Sequence, residues 1–301
     1  MVNGFISGVT GLFSSGLPEW SCEFSPRRIV AVQASSDRKE VISKAAVELP
    51  DGAIVPAIKG NNIQDSSAVE SALGRVLDEA RFSGSELIVV IPDDAVRITL
   101  LETESFPSSE AERQTFIRWK LKKHVPFDVS TSQAAYQRLG ENGTVSVLAG
   151  LSPGAVTREY EGVLDRMGMH PGIVTPSTIA ALNLCDLSTL TTDTLFVKLG
   201  DTSVITSILK DGKLRFYRKV PRSGSLESAI HPTMMYYQDK LGDDSTDSNR
   251  NLKLGEMILC VDDSNPSEAN AAARQLGLVV RPLYSSRLED IYKPSLGALQ
   301  R

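Results

Sequence analysis

Leu87-Ile88-Val89-Val90-Ile91, closed by Pro92, is a run of five aliphatic residues with no polar position among them. The run is too short for a buried helix, and its β-branched residues favour an extended chain. A strand apolar on both faces has to be covered on both faces, as the central strands of parallel sheets are. The flanking segments agree. Residues 28–34 and 41–49 read as two strands separated by the polar turn Ser35–Glu40. Residues 66–82 read as a helix capped by Ser66 or Ser67, with Val69, Leu73, Val76, Leu77 and Ala80 along one face. Val96–Leu101 reads as a further strand. Strand, strand, helix, strand is an α/β order, unlike a bundle or a sandwich.

Pro107-Ser108-Ser109-Glu110 opens a second helix, with serine caps, acids early and bases late, ending before Pro126. Residues 133–139 and 144–151 are predicted strands around the turn Glu141-Asn142-Gly143. A helix from Ser152-Pro153 to about Met167 stops at Gly168, and Ile173–Pro176 leads into a helix through Leu184. The Thr-rich stretch Leu187–Asp193 marks a domain boundary. Beyond it, 195–199, 203–209 and 214–220 form a meander with Asp211-Gly212 as its tight second turn. A helix at 226–241, an acidic loop at 242–251, a strand at 257–261, a helix at 266–276 and a strand at 279–283 complete the chain. The second half thus repeats the first. A length of 301 residues also fits two domains at roughly 150 residues each.

Lys and Arg number 32 against 37 Asp and Glu, a net charge of −5, which argues against broad nucleic-acid binding. Cys22, Cys185 and Cys260 lie far apart, with neither a disulfide framework nor zinc-ligand spacing, so a reducing cytoplasm is expected. The first 18 residues carry no charge and are interrupted by Gly and Ser, fitting neither a secretory signal nor a membrane span. Val2, Phe5, Ile6, Val9, Leu12 and Phe13 have helical spacing. Segment 1–20 is therefore either docked or disordered, or else a weak membrane-surface or partner-binding helix.

Walker, G-x-G-x-x-G, G-x-S-x-G and H-E-x-x-H patterns are all absent. His124 is expected as a helix C-cap or a partner contact, His170 and His231 as loop residues, and Asp93-Asp94 as solvated turn acids. Arg113, Arg118, Lys120, Lys122 and Lys123 form either a solvated helix face or a basic rim. The rim would surround an apolar groove anchored by Phe116, Trp119 and Phe127, with Trp119 as the surface residue.

Residues 105–127, SFPSSEAERQTFIRWKLKKHVPF, combine an acid-led helix, the pair Arg118-Trp119 and a closing His124-Val125-Pro126-Phe127. This segment resembles the PilM family, actin-like cytoplasmic proteins of type IV pilus machines, which carry a Trp-containing helix end and an "I/V-P-F" here. The resemblance extends over most of the chain. It implies two ribonuclease-H-like halves (21–190 and 191–301), with a small α/β subdomain inserted in the first half at about 95–171. It further implies ATP between the halves, and a groove beside the insertion that holds an N-terminal peptide of PilN, an inner-membrane protein. The cytoplasmic domain of the type II secretion L protein is related.

The sequence departs from that family at the nucleotide site. The Asp-x-Gly turn that organises magnesium and phosphate falls on Glu23-Phe24-Ser25. The second phosphate turn falls on Phe196–Gly200, where Gly200 survives and Lys198 takes the carboxylate position. The double-glycine adenosine turn falls on Asp262-Asp263, and an extra lobe of the second half is missing between Pro221 and Leu226. The expectation is an adaptor without a cofactor, its ATPase site lost, that binds a PilN-type peptide through Arg118, Trp119, Lys122, His124, Pro126 and Phe127. The alternatives are an active actin-like ATPase in which Lys198 reaches phosphate, and a type II secretion homologue with the same adaptor role.

Overall fold

The computed structural model describes residues 17–187, 189–190, 192–241, 254–262, 267–283 and 288–300. The aliphatic run is strand β4 (Glu86–Ile91), and Leu87 to Ile91 are at most 2% exposed. Around it lie β1 (Trp20–Phe24), β2 (Arg28–Ala34), β3 (Val41–Glu48) and β8 (His170–Pro176), in the order β3-β2-β1-β4-β8. The first three strands are an antiparallel meander; β1, β4 and β8 run parallel. Helix α1 (Ser66–Ala80) covers β2 and β3 with Val69, Leu73 and Val76 fully buried. Its N-cap is Asp65, which accepts from Ala68 N at 2.9 Å, rather than Ser66 or Ser67. Arg81, in the left-handed conformation, ends the helix.

Strand β1 was not anticipated. Trp20 was expected in a terminal segment and Glu23 in a turn, yet both belong to this strand, whose five residues are buried. Neighbours on both edges, β2 and β4, recruit the short mixed sequence WSCEF into the sheet. Residues 1–16 and the acidic loop 242–251 lie outside the described residues.

Between β4 and helix α3 (Gly154–Asp165) the chain builds a second sheet from β5 (Arg97–Thr103), β6 (Ser132–Asn142) and β7 (Thr144–Pro153), ordered β5-β7-β6. Helix α2 (Glu110–Leu121) packs on it through Ile117 and Leu121, both 0% exposed, against Val147, Ala149 and Leu151. Helix α4 (Ser177–Leu182) follows β8 directly.

The second unit has strands β9 (Thr194–Leu199), β10 (Ser203–Lys210), β11 (Lys213–Pro221), β12 (Glu256–Val261) and β13 (Val279–Pro282), ordered β11-β10-β9-β12-β13. Helices α5 (Leu226–Tyr236), continued by a π turn at Tyr237–Leu241, and α6 (Ser267–Gln275) complete it. Strand order and directions repeat those of the first sheet, with β9 in the place of β1 and β12 in the place of β4.

Contacts divide the chain into one unit running to Leu184 and resuming at Tyr292, and a second over Cys185–Ile291. The second domain was expected to run to residue 301, but the unforeseen helix α7 (Lys293–Leu299) packs on α4 and β1 of the first. Gly297 permits this contact: a Cβ there would lie 2.0 Å from Ala180 O.

Candidate functional site

The carboxyl ends of β1, β4 and β8 hold a buried polar network within the first unit. Glu23, 5% exposed, accepts a 2.6 Å bond from Ser177 Oγ. Asp93, expected as a solvated turn acid, is 5% exposed and caps α4, accepting from Thr178 N at 2.9 Å and Thr178 Oγ1 at 2.8 Å. The cap gives a physical reason for the burial, because orphan N–H groups at a helix start need an acceptor. Ser25 lies in the β1–β2 turn, where its N and Oγ both donate to Arg28 O at 3.0 Å.

In the second unit Lys198 points into the protein, with its side chain 2% exposed, and its Nζ lies 2.7 Å from Asp262 Oδ2. Gly200 N donates to Ser203 O at 2.9 Å, the same hairpin bond that Ser25 N makes in the first unit. A Cβ on Gly200 would sit 3.3 Å from Asp262 Oδ2 and 3.2 Å from Ser203 O. The Asp262 carboxylate thus fills the space beside the glycine. Arg222 Nη1 donates to Gly200 O at 3.1 Å and closes the turn from the other side. Only four residues separate β11 from α5. Asp263 lies outside the described residues. Among those described, no cluster of three or more His, Cys, Asp or Glu could hold a metal.

The first unit also carries a small apolar cleft between its main sheet and the three-stranded sheet, with a cavity volume of about 70 Å³. Ile91 and Val96 approach it from one side of the insertion, Val174 and Pro176 from β8, and Ala135 from β6. Two of its polar side chains bond within the protein: Thr157 Oγ1 donates to Ser152 Oγ at 3.2 Å, and Ser152 Oγ to Ala95 O at 3.1 Å. The space is below the usual size of a small-molecule site but fits an apolar side chain.

None of the six anticipated partner-binding residues lines this cleft. Arg118 turns inward, donating through Nη2 to Ser132 O at 3.2 Å, and Phe127 packs on the subdomain core. Trp119, 65% exposed, stands on the surface with Lys122, His124 and Pro126. The family resemblance implied a groove beside the insertion, but residue patterns missed its lining because the walls come from strand ends far apart in the chain. The one available signal was the placing of Pro92 and Pro176 at the ends of two apolar strands.

Two sheets of equal topology, each a meander followed by two parallel strands, with a subdomain inserted in the first, compare closely with several solved structures. The PilM–PilN type IV pilus biogenesis complex matches with a TM-score of 0.73 at 16% identity, over 95% of this chain and 99% of that one. The fold is actin-like. The cytoplasmic domain of EpsL, an inner membrane component of the type II secretion system of Vibrio cholerae, matches with a TM-score of 0.53 at 12% identity, over 94% of each chain. A Bacteroides thetaiotaomicron protein with an actin-like ATPase fold and unknown function matches at 0.55 and 11% identity, over 91% of this chain and 93% of that one. No protein-family model and no curated protein matches the chain. The PilM-like architecture is therefore legible in the fold rather than in overall sequence identity. No helix among the described residues is long and apolar enough to cross a membrane.

Proposed function

We propose that this chain is a non-hydrolysing, PilM-like adaptor that captures the cytoplasmic N-terminal peptide of a PilN-type inner-membrane protein and ties it to a pilus or secretion platform. The observation that carries the reading is the apolar cleft between the main sheet and the inserted sheet, sized for one apolar side chain of an extended peptide. Such a peptide gains affinity from apolar anchoring and from main-chain bonds to strand edges. Arg118 and Phe127 act behind the cleft, fixing the start of β6 from which Ala135 faces the peptide.

Two observations support the loss of ATP chemistry. The end of β9 offers an ammonium where a magnesium shell needs a carboxylate. That ammonium is held by Asp262, whose own negative charge occupies the space beside Gly200 and repels a phosphate. Magnesium nucleotide does not fit this arrangement.

Calorimetric titration with a synthetic PilN-type N-terminal peptide tests the reading, with Mg-ATP as the parallel titrant. Saturable heat with peptide, abolished by Ala135→Leu, and none with Mg-ATP is the expected result. Tight magnesium-dependent nucleotide binding would replace it with the actin-like ATPase reading. Peptide heat unchanged by Ala135→Leu would move the peptide site elsewhere.

A further inference from the structure

The C-terminal end of α2 and the 3₁₀ turn after it (Lys122–His124) carry an arrangement that the cleft does not use. Trp119 is 65% exposed, the most exposed large apolar side chain among the described residues. Lys120 Nζ lies 5.2 Å from its ring centre and 5.5 Å from that of Phe116. Lys122, Lys123 and His124 follow on the exposed turn, and Lys120, Lys122 and Lys123 form no ion pair among the described residues. Asp128, which feels the charge of Lys122, accepts hydrogen bonds from Ser130 N and Ser130 Oγ. Glu110 and Glu112 stand at the far end of the helix, about 12–18 Å from Lys120 and Lys122 at 1.5 Å per residue, beyond the screening length of about 8 Å.

We propose that this end of α2 is a docking surface for an anionic phospholipid bilayer, with Trp119 at headgroup depth and Lys120, Lys122 and Lys123 on the lipid phosphates. Three features favour a bilayer over an acidic polypeptide. The cations here, exposed Lys122 and Lys123 and half-buried Lys120, are lysines, point charges suited to a diffuse surface potential. The one arginine here, Arg118, whose fork would grip a carboxylate, is turned inward onto Ser132 O. The apolar element is a protruding indole, amphipathic in the way interfacial anchors are, rather than a pocket awaiting a side chain. A chain of net charge −5 is repelled by an anionic membrane as a whole, so such a patch also sets which face turns to it. One indole and three lysines make a weak anchor, which gains from any second attachment that holds the protein near the membrane.

The test uses the full chain and vesicles of phosphatidylcholine alone or with a third phosphatidylglycerol. Trp20 is 4% exposed and already dry, so a blue shift of indole emission on adding vesicles reports Trp119. The expected result is a shift and co-sedimentation with the anionic vesicles only, both lost on raising salt from about 50 to about 300 mM. The double variant Lys122→Gln/Lys123→Gln, changed at exposed positions, should lower the partition coefficient about thirty-fold. Trp119→Phe should retain sedimentation and remove the shift. Unchanged peptide titration by the double variant would separate this surface from the cleft. No binding at low salt, equal binding to neutral vesicles, or an emission shift with polyglutamate but not with vesicles would overturn the proposal.

Discussion

Glu23 and Lys198 occupy the same position in the two repeats of this fold. Each is the penultimate residue of the strand that opens a meander, pairing with Val30 and Val90 in one unit and with Ile205 and Cys260 in the other. One is an acid and the other a base, and both are at least 95% buried. Each is bonded inside its own unit, Glu23 to Ser177 and Lys198 to Asp262. The repeat has therefore kept its geometry while the charge at this position was inverted.

The inversion makes the Lys198–Asp262 pair asymmetric. Lys198 is 2% exposed in its side chain, whereas Asp262 is 18% exposed and keeps some water. Removing the acid takes a 2.7 Å partner from a nearly dry ammonium; removing the base leaves a carboxylate that solvent can reach. Asp262→Ala should therefore cost about 3 kcal/mol, and Lys198→Met only about 1 kcal/mol. Denaturant unfolding of the two single variants and the double variant measures this. Equal losses would mean that the pair is not the dry contact described here.

The closure of the first unit by its own C-terminus predicts a second sensitivity. Asn183 Nδ2 donates to Gly297 O at 3.0 Å, and Ser21 Oγ to Ser295 O at 2.7 Å. Gly297→Ala would place a methyl 2.0 Å from Ala180 O, forcing α7 off α4 at a cost of about 3 kcal/mol. Hydrogen exchange should then show early opening of β1 and α4 while the β9–β12 sheet keeps its protection. Uniform loss across both sheets would contradict the division into two units.

Much of this architecture was legible because burial leaves a periodic mark. The run Leu87–Ile91, the second meander and the Ser109-capped helix all stand where pattern and capping put them. What pattern could not show depends on neighbours. WSCEF becomes a strand because β2 and β4 flank it, and KPSLGAL becomes a buried helix because α4 offers a groove that only a glycine can enter. The lining of the cleft was illegible for the same reason: Val96, Ala135 and Val174 meet only after two sheets have formed. Asp93 read as a surface acid because the N–H it caps lies 85 positions on.

Helix α2 separates exposure from stability. Ile117 is 0% exposed in the subdomain core and Trp119, two residues on, is 65% exposed. Ile117→Ala should cost about 3 kcal/mol and Trp119→Ala less than about 0.5 kcal/mol. Thermal denaturation reads both, and a large loss at Trp119 would show that its ring holds the helix in place rather than facing outward.

Asp193 supplies a pH dependence whose sign follows from its surroundings. Burial raises its pKa above the ordinary 3.8, aided by Asp211, and outweighs the lowering by the Tyr237 hydroxyl and by Lys210. Tyr237 donates to Asp193 Oδ2 at 2.7 Å, and Lys210 Nζ lies 4.0 Å from the same oxygen. Because the folded pKa exceeds the unfolded one, the folded state holds this proton more tightly. The stability it contributes is full below the unfolded value and is lost as pH rises through the folded value. Asp193→Asn removes the titration and keeps an amide oxygen for the Tyr237 hydroxyl. The variant should therefore gain on the natural protein as pH rises above the ordinary carboxylate range, and the difference should level off once pH has passed the raised folded value. Denaturant unfolding at several pH values measures that difference; a constant gap would show that Asp193 has the same pKa in both states.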